Sequence, residues 1–178
     1  MSEVNEVSRR QFVTSAFSTA ALAALPTPVA DANVQKMKGD EITTLTAYLL
    51  FDGDCHNAME FYRSCFGGDL TAVKVKDSPA GDRMPADQQD KVLNARLKSG
   101  NLDISASDWL RPNKRPVRGN TVCLYLSGGT VQELKSLFDR LSQGAEVTDP
   151  LNEQFFGTYG ALNDKFGVRW MFHTNEKA

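Results

Sequence analysis

From about residue 43 onward, hydrophobic positions follow strand and helix periods in a fixed order. The apolar run 45–51 predicts a strand, and apolar residues at helical spacing follow it up to residue 66. Asp54 is predicted to cap this helix through its side chain, and Gly67 to end it. An exposed loop over 77–90 separates the strands that come next, which are predicted over 70–75, 91–98 and 102–107.

The same order returns after the linker 110–119. Residues 121–127 predict a strand, and Thr130 with Glu133 forms a capping box that begins a second helix. The expected buried stripe of this helix is Val131, Leu134, Phe138 and Leu141, and the predicted strands after it are 145–148, 157–162 and 168–174. The repeat predicts an α+β fold of two βαβββ modules, residues 43–109 and 120–174.

The last predicted strand has two different faces. Asp164 and Gly167 occupy the first and last positions of a tight turn that leads into it. After the turn, apolar positions alternate with Arg169, Met171 and His173. One face of this strand is therefore predicted to join the core, and the other carries mixed chemistry.

The N-terminal residues resemble a bacterial twin-arginine export signal. Arg9 and Arg10 precede an apolar run over 16–25, and Ala30-Asp31-Ala32 resembles a cleavage site. The apolar run is shorter than the roughly 20 residues of a spanning helix, so no permanent membrane span is expected. We therefore predict an export signal over 1–32, a flexible tether over 33–42, the export machinery as a partner, and a periplasmic or extracellular location. The alternative is a disordered tail that happens to hold two arginines.

Composition and charge narrow the classes of protein and of partner. A chain of 178 residues with 41% hydrophobic and 24% charged residues is typical of one globular domain. Its net charge of −2 gives no electrostatic reason to expect nucleic acid or an anionic membrane as partner. Three cysteines imply no disulfide framework, and Cys55 and Cys65 lie too far apart on one helix to bridge each other.

Five segments resemble the PhnB-like branch of the vicinal oxygen chelate superfamily, which includes glyoxalase I, bleomycin-resistance proteins and extradiol dioxygenases. The segments are 48–55, 58–62, 66–68, 94–97 and 164–171. The resemblance implies that the two modules form a cupped, mostly antiparallel sheet, with helices on the convex face and the ligand on the concave face. It also implies a homodimer.

The resemblance further implies four positions that hold a divalent metal in the family's enzymes. In this chain they fall at Ala47, Ser105 or Ser107, Cys123 or its neighbour Val122, and Met171. None of these is a histidine or a carboxylate, so we predict no metal and no cofactor. His56 is expected to face solvent, His173 is a minor candidate ligand, and Asp103 with Asp108 offers an alternative weak oxygen site.

The alternation along the strands then predicts which residues line the cup. Besides Leu49, the predicted ligand-binding residues are Asn94, Arg96, Ser105, Ser107, Tyr125, Arg169 and Met171. Two guanidinium groups on different strands suit a carboxylate or phosphonate. The alternatives are that these arginines reach solvent or a dimer surface, or that Asp103 and Asp108 neutralise them. Phe155, Phe156 and Tyr159 are expected to line an apolar half of the pocket, or else a core or subunit interface.

Three functions remain open at this point. The first is an exported, metal-free protein that binds a small molecule with a polar or anionic end. The second is a glyoxalase-type lyase or isomerase that holds a metal through unconventional ligands. The third is a non-catalytic dimeric interaction module.

Overall fold

A computed structural model describes residues 44–111 and 114–177. The predicted export signal over 1–32, with Arg9 and Arg10, and the predicted tether over 33–42 lie outside the described residues. Within the described ranges, no helix is long and apolar enough to cross a membrane.

The first module has the predicted order of one strand, one helix and three strands. Its elements are β1 (Ala47–Phe51), α1 (Cys55–Phe66), β2 (Asp69–Lys74), β3 (Val92–Ser99) and β4 (Leu102–Asp108). They form a four-stranded sheet in the order β1-β4-β3-β2, in which only the β1–β4 pair is parallel. Three short 3₁₀ turns shape the loop between β2 and β3.

The second module repeats this arrangement. Its elements are β5 (Leu124–Ser127), α2 (Val131–Leu141), β6 (Glu146–Gln154), β7 (Gly157–Asn163) and β8 (Arg169–Thr174). The sheet order is β5-β8-β7-β6, and β5–β8 is again the parallel pair. The predicted α+β fold of two βαβββ modules is therefore confirmed.

Both modules contribute to one hydrophobic core on the helix side of the sheets. Phe51 from β1, Tyr62 from α1 and Trp170 and Phe172 from β8 are almost fully buried in it. The rings of Tyr62 and Trp170 meet edge to face at 5.5 Å. Because apolar burial is the main stabilising term in folding, this shared core holds the two modules together.

The three cysteines divide between the core and the surface of the sheets. Cys55 and Cys65 are buried on α1, whereas Cys123 is only partly buried. Burial, with a smaller contribution from the Asp108 carboxylate, raises the pKa of the Cys55 thiol to about 12. Cys55 therefore behaves as a small apolar core residue.

The two helices begin in different ways. Thr130 and Glu133 form the predicted capping box at the start of α2. Asp54 precedes α1 with φ −100° and ψ 7°, which is not the extended geometry of a capping residue, and its side chain makes no capping hydrogen bond. The predicted Asp54 cap is therefore wrong. Asp108 takes its place, since one oxygen, Oδ1, accepts the backbone N–H groups of Gly53 and Cys55, each at 3.0 Å.

The turn before β8 is also a long-range anchor. Asp164 Oδ1 accepts the N–H groups of Phe166 and Val168, each at 2.9 Å, as expected of an Asx turn. Its Oδ2 accepts the Tyr62 hydroxyl at 2.7 Å and the Trp170 indole N–H at 2.8 Å. Burial, followed by the Asp164 charge, raises the pKa of Tyr62 well above its usual value. One buried carboxylate thus joins the β7–β8 turn to the helix of the other module.

Candidate functional site

The open face of the first sheet carries four of the predicted ligand-binding residues. In the β3–β4 register, Arg96 lies beside Ser105. Asn94 precedes Arg96 by two residues and Ser107 follows Ser105 by two, so all four side chains occupy the same face. Arg96 and Asn94 are exposed, whereas Ser107 is 7% exposed. The alternation along β3 and β4 therefore predicted this face correctly.

The prediction of which β1 side chains lie on the open face was wrong by one residue. Ala47 pairs with Ile104, and Leu49 pairs with Ala106 and packs against the core, so both face the helices. The positions on the open face are Tyr48 and Leu50, which are 51% and 42% exposed. A shift of one residue along a strand moves every side chain to the other face of the sheet. Ala47 is therefore not a metal position, and Leu49 does not line a cup.

The open face of the second sheet carries the remaining predicted residues. Tyr125 on β5 lies beside Met171 on β8, and Tyr159 on β7 lies beside His173. A cavity of about 350 Å³ opens on this face, and its lining residues are Tyr125, Phe156, Tyr159, Met171 and His173. None of the predicted residues from the first sheet lines it. The predicted ligand-binding residues thus divide between two sheet faces.

The cavity walls are aromatic rings in mutual contact. Phe156 meets Tyr159 at a centroid distance of 6.0 Å and His173 at 5.7 Å, and Tyr125 stacks on His173 with an interplanar angle of 14°. The Phe155 ring is 91% exposed and does not line the cavity. Two members of the predicted aromatic set therefore build the pocket, and the third lies outside it.

His173 is held in one tautomer by its two partners. Its Nε2 lies 3.2 Å from the Phe156 carbonyl oxygen, which can only accept, so this nitrogen carries the hydrogen. Its Nδ1 lies 2.9 Å from the Tyr125 hydroxyl and accepts from it. Partial burial, with Asp149 as the next cause, raises the pKa of Tyr159. The polar groups that line the cavity are therefore two tyrosine hydroxyls and one imidazole.

The two predicted arginines differ in what they contact. Arg96 Nε and Nη2 donate to the two carboxylate oxygens of Asp103 at 2.8 and 2.5 Å, and this contact holds the pKa of Asp103 below its usual value. The alternative in which Asp103 neutralises Arg96 is therefore the one observed. Asp108 takes no part, because its Oδ2 accepts the Val92 N–H at 2.8 Å within the buried β4 end. The pair Asp103 and Asp108 consequently forms no oxygen site.

Arg169 has no such neutralising partner. Among the residues that the structure describes, it makes no ion pair, and its neighbour in the β7–β8 register is the neutral Asn163. It lines a cavity of about 790 Å³ together with Arg118, Lys165 and Glu146, whose carboxylate accepts from Asn163, and a second of about 370 Å³ together with Cys123. Arg169 is therefore the predicted arginine whose charge is available to a ligand.

The donor set does not fit a divalent catalytic ion. In the part of the chain that the structure describes, no group of three or more His, Cys, Asp or Glu side chains could hold a metal. His56 is exposed at the start of α1, as expected. Cys123 and Met171 do meet, with Sγ and Sδ 3.0 Å apart, but one thiol and one thioether fall short of the three protein ligands that a catalytic divalent ion needs.

Residues 43–172 match the family model described as 3-demethylubiquinone-9 3-methyltransferase. The chain belongs to this family. The PhnB-like domain is similar to protein YjdN of Escherichia coli (strain K12), with 28% identity over 142 residues that cover 72% of this chain and 93% of that protein.

Solved structures show the same relationship. Protein PA1353 from Pseudomonas aeruginosa is 32% identical with a TM-score of 0.68, over 77% of this chain and all of that one. A putative 3-demethylubiquinone-9 3-methyltransferase, PhnB protein, from Bacillus cereus is 25% identical with a TM-score of 0.59, over 74% and 99%. A glyoxylase/bleomycin resistance protein/dioxygenase domain from Frankia sp. EAN1pec, at 18% identity and a TM-score of 0.51, shares the fold over 75% and 93%. The resemblance to the PhnB-like branch of the vicinal oxygen chelate superfamily is thus confirmed.

Proposed function

We propose that this PhnB-like protein is exported and binds a small molecule with an apolar body and a polar or anionic end, without a divalent metal. The observation that carries the proposal is the aromatic cavity on the second sheet, on the same strand face as Arg169, which makes no ion pair with any residue that the structure describes. A mostly apolar cavity with a few convergent polar groups is the usual form of a small-molecule site.

The ligand is held by two kinds of contact. Its ring or apolar body stacks on Tyr159 and Phe156, where offset aromatic contacts stabilise by about 0.5–1.5 kcal/mol beyond area burial. Its anionic end pairs with Arg169, whose guanidinium presents planar paired donors. Arg169 and Met171 lie on the same face of β8, roughly 6.5 Å apart along the strand. That spacing suits a molecule with one ring and one acidic substituent.

Export and dimer formation belong to the same proposal. The twin-arginine motif at Arg9 and Arg10 supports an exported location and the export machinery as partner. The open faces of both sheets leave apolar side chains exposed, among them Tyr48, Leu50 and Tyr125. Exposed apolar patches of this kind mark interaction surfaces, which supports a homodimer whose second copy covers part of these faces.

The test compares ligand binding by two matched arginine variants. The purified mature protein is screened by thermal shift against aromatic carboxylates and phosphonates, each beside its neutral amide or ester. Arg169→Ala should weaken binding of the acids about tenfold or more, since a hydrogen bond to a charged group contributes about 1.5–3 kcal/mol. Arg96→Ala is the control and should bind as the native chain does, because Asp103 already holds that guanidinium.

Three results would contradict the proposal. If no acid stabilises the protein against heat, the evidence for binding is gone. If Arg169→Ala and Arg96→Ala weaken binding equally, Arg169 does not belong to the site. Elemental analysis of protein purified without chelators supplies the third. Stoichiometric nickel, zinc, manganese or iron would replace this proposal with the metal-dependent lyase or isomerase.

A further inference from the structure

We propose that the small molecule bound on the second sheet is an α-amino acid with an aromatic side chain, whose carboxylate pairs with Arg169 and whose ammonium pairs with Glu146. This inference rests on the proposed function and deepens it, because it names the class of ligand and a second charged contact. An α-amino acid carries both charges on one carbon atom, so its site needs a guanidinium and a carboxylate within reach of the same point.

Opposite charges stand in one row across three strands of the second sheet. Glu146 on β6 pairs with Asn163 on β7, and Asn163 pairs in turn with Arg169 on β8. Residues that lie directly opposite each other point to the same face, and the α-carbons of Glu146 and Arg169 are therefore about 10 Å apart on the open face. Both side chains line the 790 Å³ cavity. They can thus reach one ligand from its two sides.

The Glu146 carboxylate has one oxygen left for a ligand. Its Oε2 accepts the Asn163 amide at 3.0 Å, which holds the side chain in place. Among the residues that the structure describes, Glu146 makes no ion pair, so it and Arg169 do not neutralise each other. A carboxylate accepts hydrogen bonds through both oxygens, and Oε1 therefore remains for an ammonium group.

The other cations of this cavity have contacts of their own. The Arg118 guanidinium donates to the Phe166 carbonyl oxygen. The Lys165 ammonium lies 4.0 Å from the centre of the Phe61 ring, where the aromatic face attracts it. Arg169 is therefore the cation of this cavity that we expect to receive the ligand carboxylate.

The charged row adjoins the aromatic cavity. Arg169 and Met171 lie on the same face of β8, and Met171 lines that cavity with Tyr159. Burial and then the Asp149 charge raise the pKa of Tyr159, whereas the Arg169 charge lowers it, so the guanidinium lies near this hydroxyl. An aromatic side chain can therefore stack on Tyr159 while the two charges of the same amino acid stay on the row.

The experiment measures binding of aromatic amino acids to the full chain by isothermal titration calorimetry. Phenylalanine, tyrosine and tryptophan are each compared with the acid that lacks the α-amino group, which for phenylalanine is 3-phenylpropionate. We expect at least one amino acid to bind about fivefold more tightly than its des-amino acid, which is the upper range for an exposed ion pair.

Two variants assign the charged contacts. Glu146→Gln should remove the preference for the amino acid without weakening the des-amino acid, because glutamine still accepts the Asn163 amide. Arg169→Ala should weaken binding of both ligands, since both carry the carboxylate. Far-ultraviolet circular dichroism confirms that each variant is folded.

Two other carboxylates on β6 supply matched controls. Glu153 pairs in register with the buried Thr158 and so points to the opposite face, and Glu153→Gln should keep the preference. Asp149 pairs with Ala161 on the open face but lies outside the lining of the 790 Å³ cavity, and Asp149→Asn should keep it as well.

The inference is overturned if no amino acid binds more tightly than its des-amino acid, if Glu146→Gln keeps the preference, or if either control variant loses it equally. Where the des-amino acids still bind through Arg169 in such a case, the proposed function stands and only the amino-acid inference fails. If neither series of ligands binds, the proposed function fails with it.

Discussion

Asp164→Asn should be one of the most destabilising single changes in this protein, although it alters only one atom. The carboxylate accepts two hydrogen bonds through Oδ1, from the turn, and two through Oδ2, from Tyr62 and Trp170. Asparagine keeps the first pair and places an NH₂ group where Oδ2 was. The Tyr62 hydroxyl can rotate to accept from it, but the Trp170 N–H then faces another donor inside the core.

The expected magnitude follows from these contacts. A buried donor left without a partner costs about 1–3 kcal/mol, and exchanging a charged acceptor for a neutral one weakens the remaining bonds. We therefore expect Asp164→Asn to lower the free energy of unfolding by about 2–4 kcal/mol. Tyr62→Phe, which removes only one donor, should lower it by about 1–2 kcal/mol.

The assay is urea denaturation followed by circular dichroism, with the m-value checked for two-state behaviour. Asp103→Asn is the matched control, because it makes the same chemical change at an exposed ion pair and should give no measurable shift of the midpoint. If Asp164→Asn and Asp103→Asn shift the midpoint equally, the buried carboxylate does not anchor the turn.

The remaining predictions concern a backbone contact, pH and export. Gly68→Ala should be far more destabilising than Gly53→Ala. Both glycines have positive φ, but a Cβ at Gly68 would lie 2.1 Å from the Lys98 carbonyl oxygen, whereas a Cβ at Gly53 would meet nothing within 4 Å. Thermal melts of the two variants, measured side by side, check this. The Cys55 thiol has a pKa near its ordinary value of 9.0 in the unfolded chain and of about 12 in the folded protein. Between pH 9 and pH 12 the folded protein therefore keeps a proton on this thiol that the unfolded chain has lost. Stability should therefore fall as pH rises from 9 to 12, with a shallower slope in Cys55→Ala, measured by urea midpoints at each pH. Replacing Arg9 and Arg10 by lysine should leave uncleaved precursor inside the cell, which fractionation and immunoblotting would detect; normal secretion of that variant would contradict the export proposal.

Local signals predicted the order of the elements, the start of α2 and the turn before β8. The capping box at Thr130 and Glu133 and the Asx turn at Asp164 each depend on residues within a few positions of one another, so the sequence alone specifies them. The alternation along β8 also predicted its two faces, because Trp170 and Phe172 are large and apolar while Arg169 is charged. Strong local contrast in polarity is what made these elements predictable.

Weak contrast in polarity and long-range contacts explain the features that the sequence did not predict. The run 45–51 is apolar at nearly every position, so its pattern does not indicate which residues face the helices. That face is determined by the parallel pairing with β4, in which Ala47 lies beside the buried Ile104. The helix-capping role of Asp108 is equally hidden, since it acts on residues more than 50 positions earlier in the chain. Both features come from tertiary contacts that no local pattern records.

The two modules share one frame but differ in the charges on their open faces. Near the β3–β4 turn the first module places Asp103, and Arg96 on the adjacent strand satisfies it. Near the β7–β8 turn the second module places Arg169 opposite Asn163, whose amide donates instead to the Glu146 carboxylate at 3.0 Å. An amide cannot neutralise a guanidinium, so among the described residues Arg169, unlike Arg96, makes no ion pair. The repeated fold gives both modules the same frame, and this difference in pairing is why the ligand is expected on the second module.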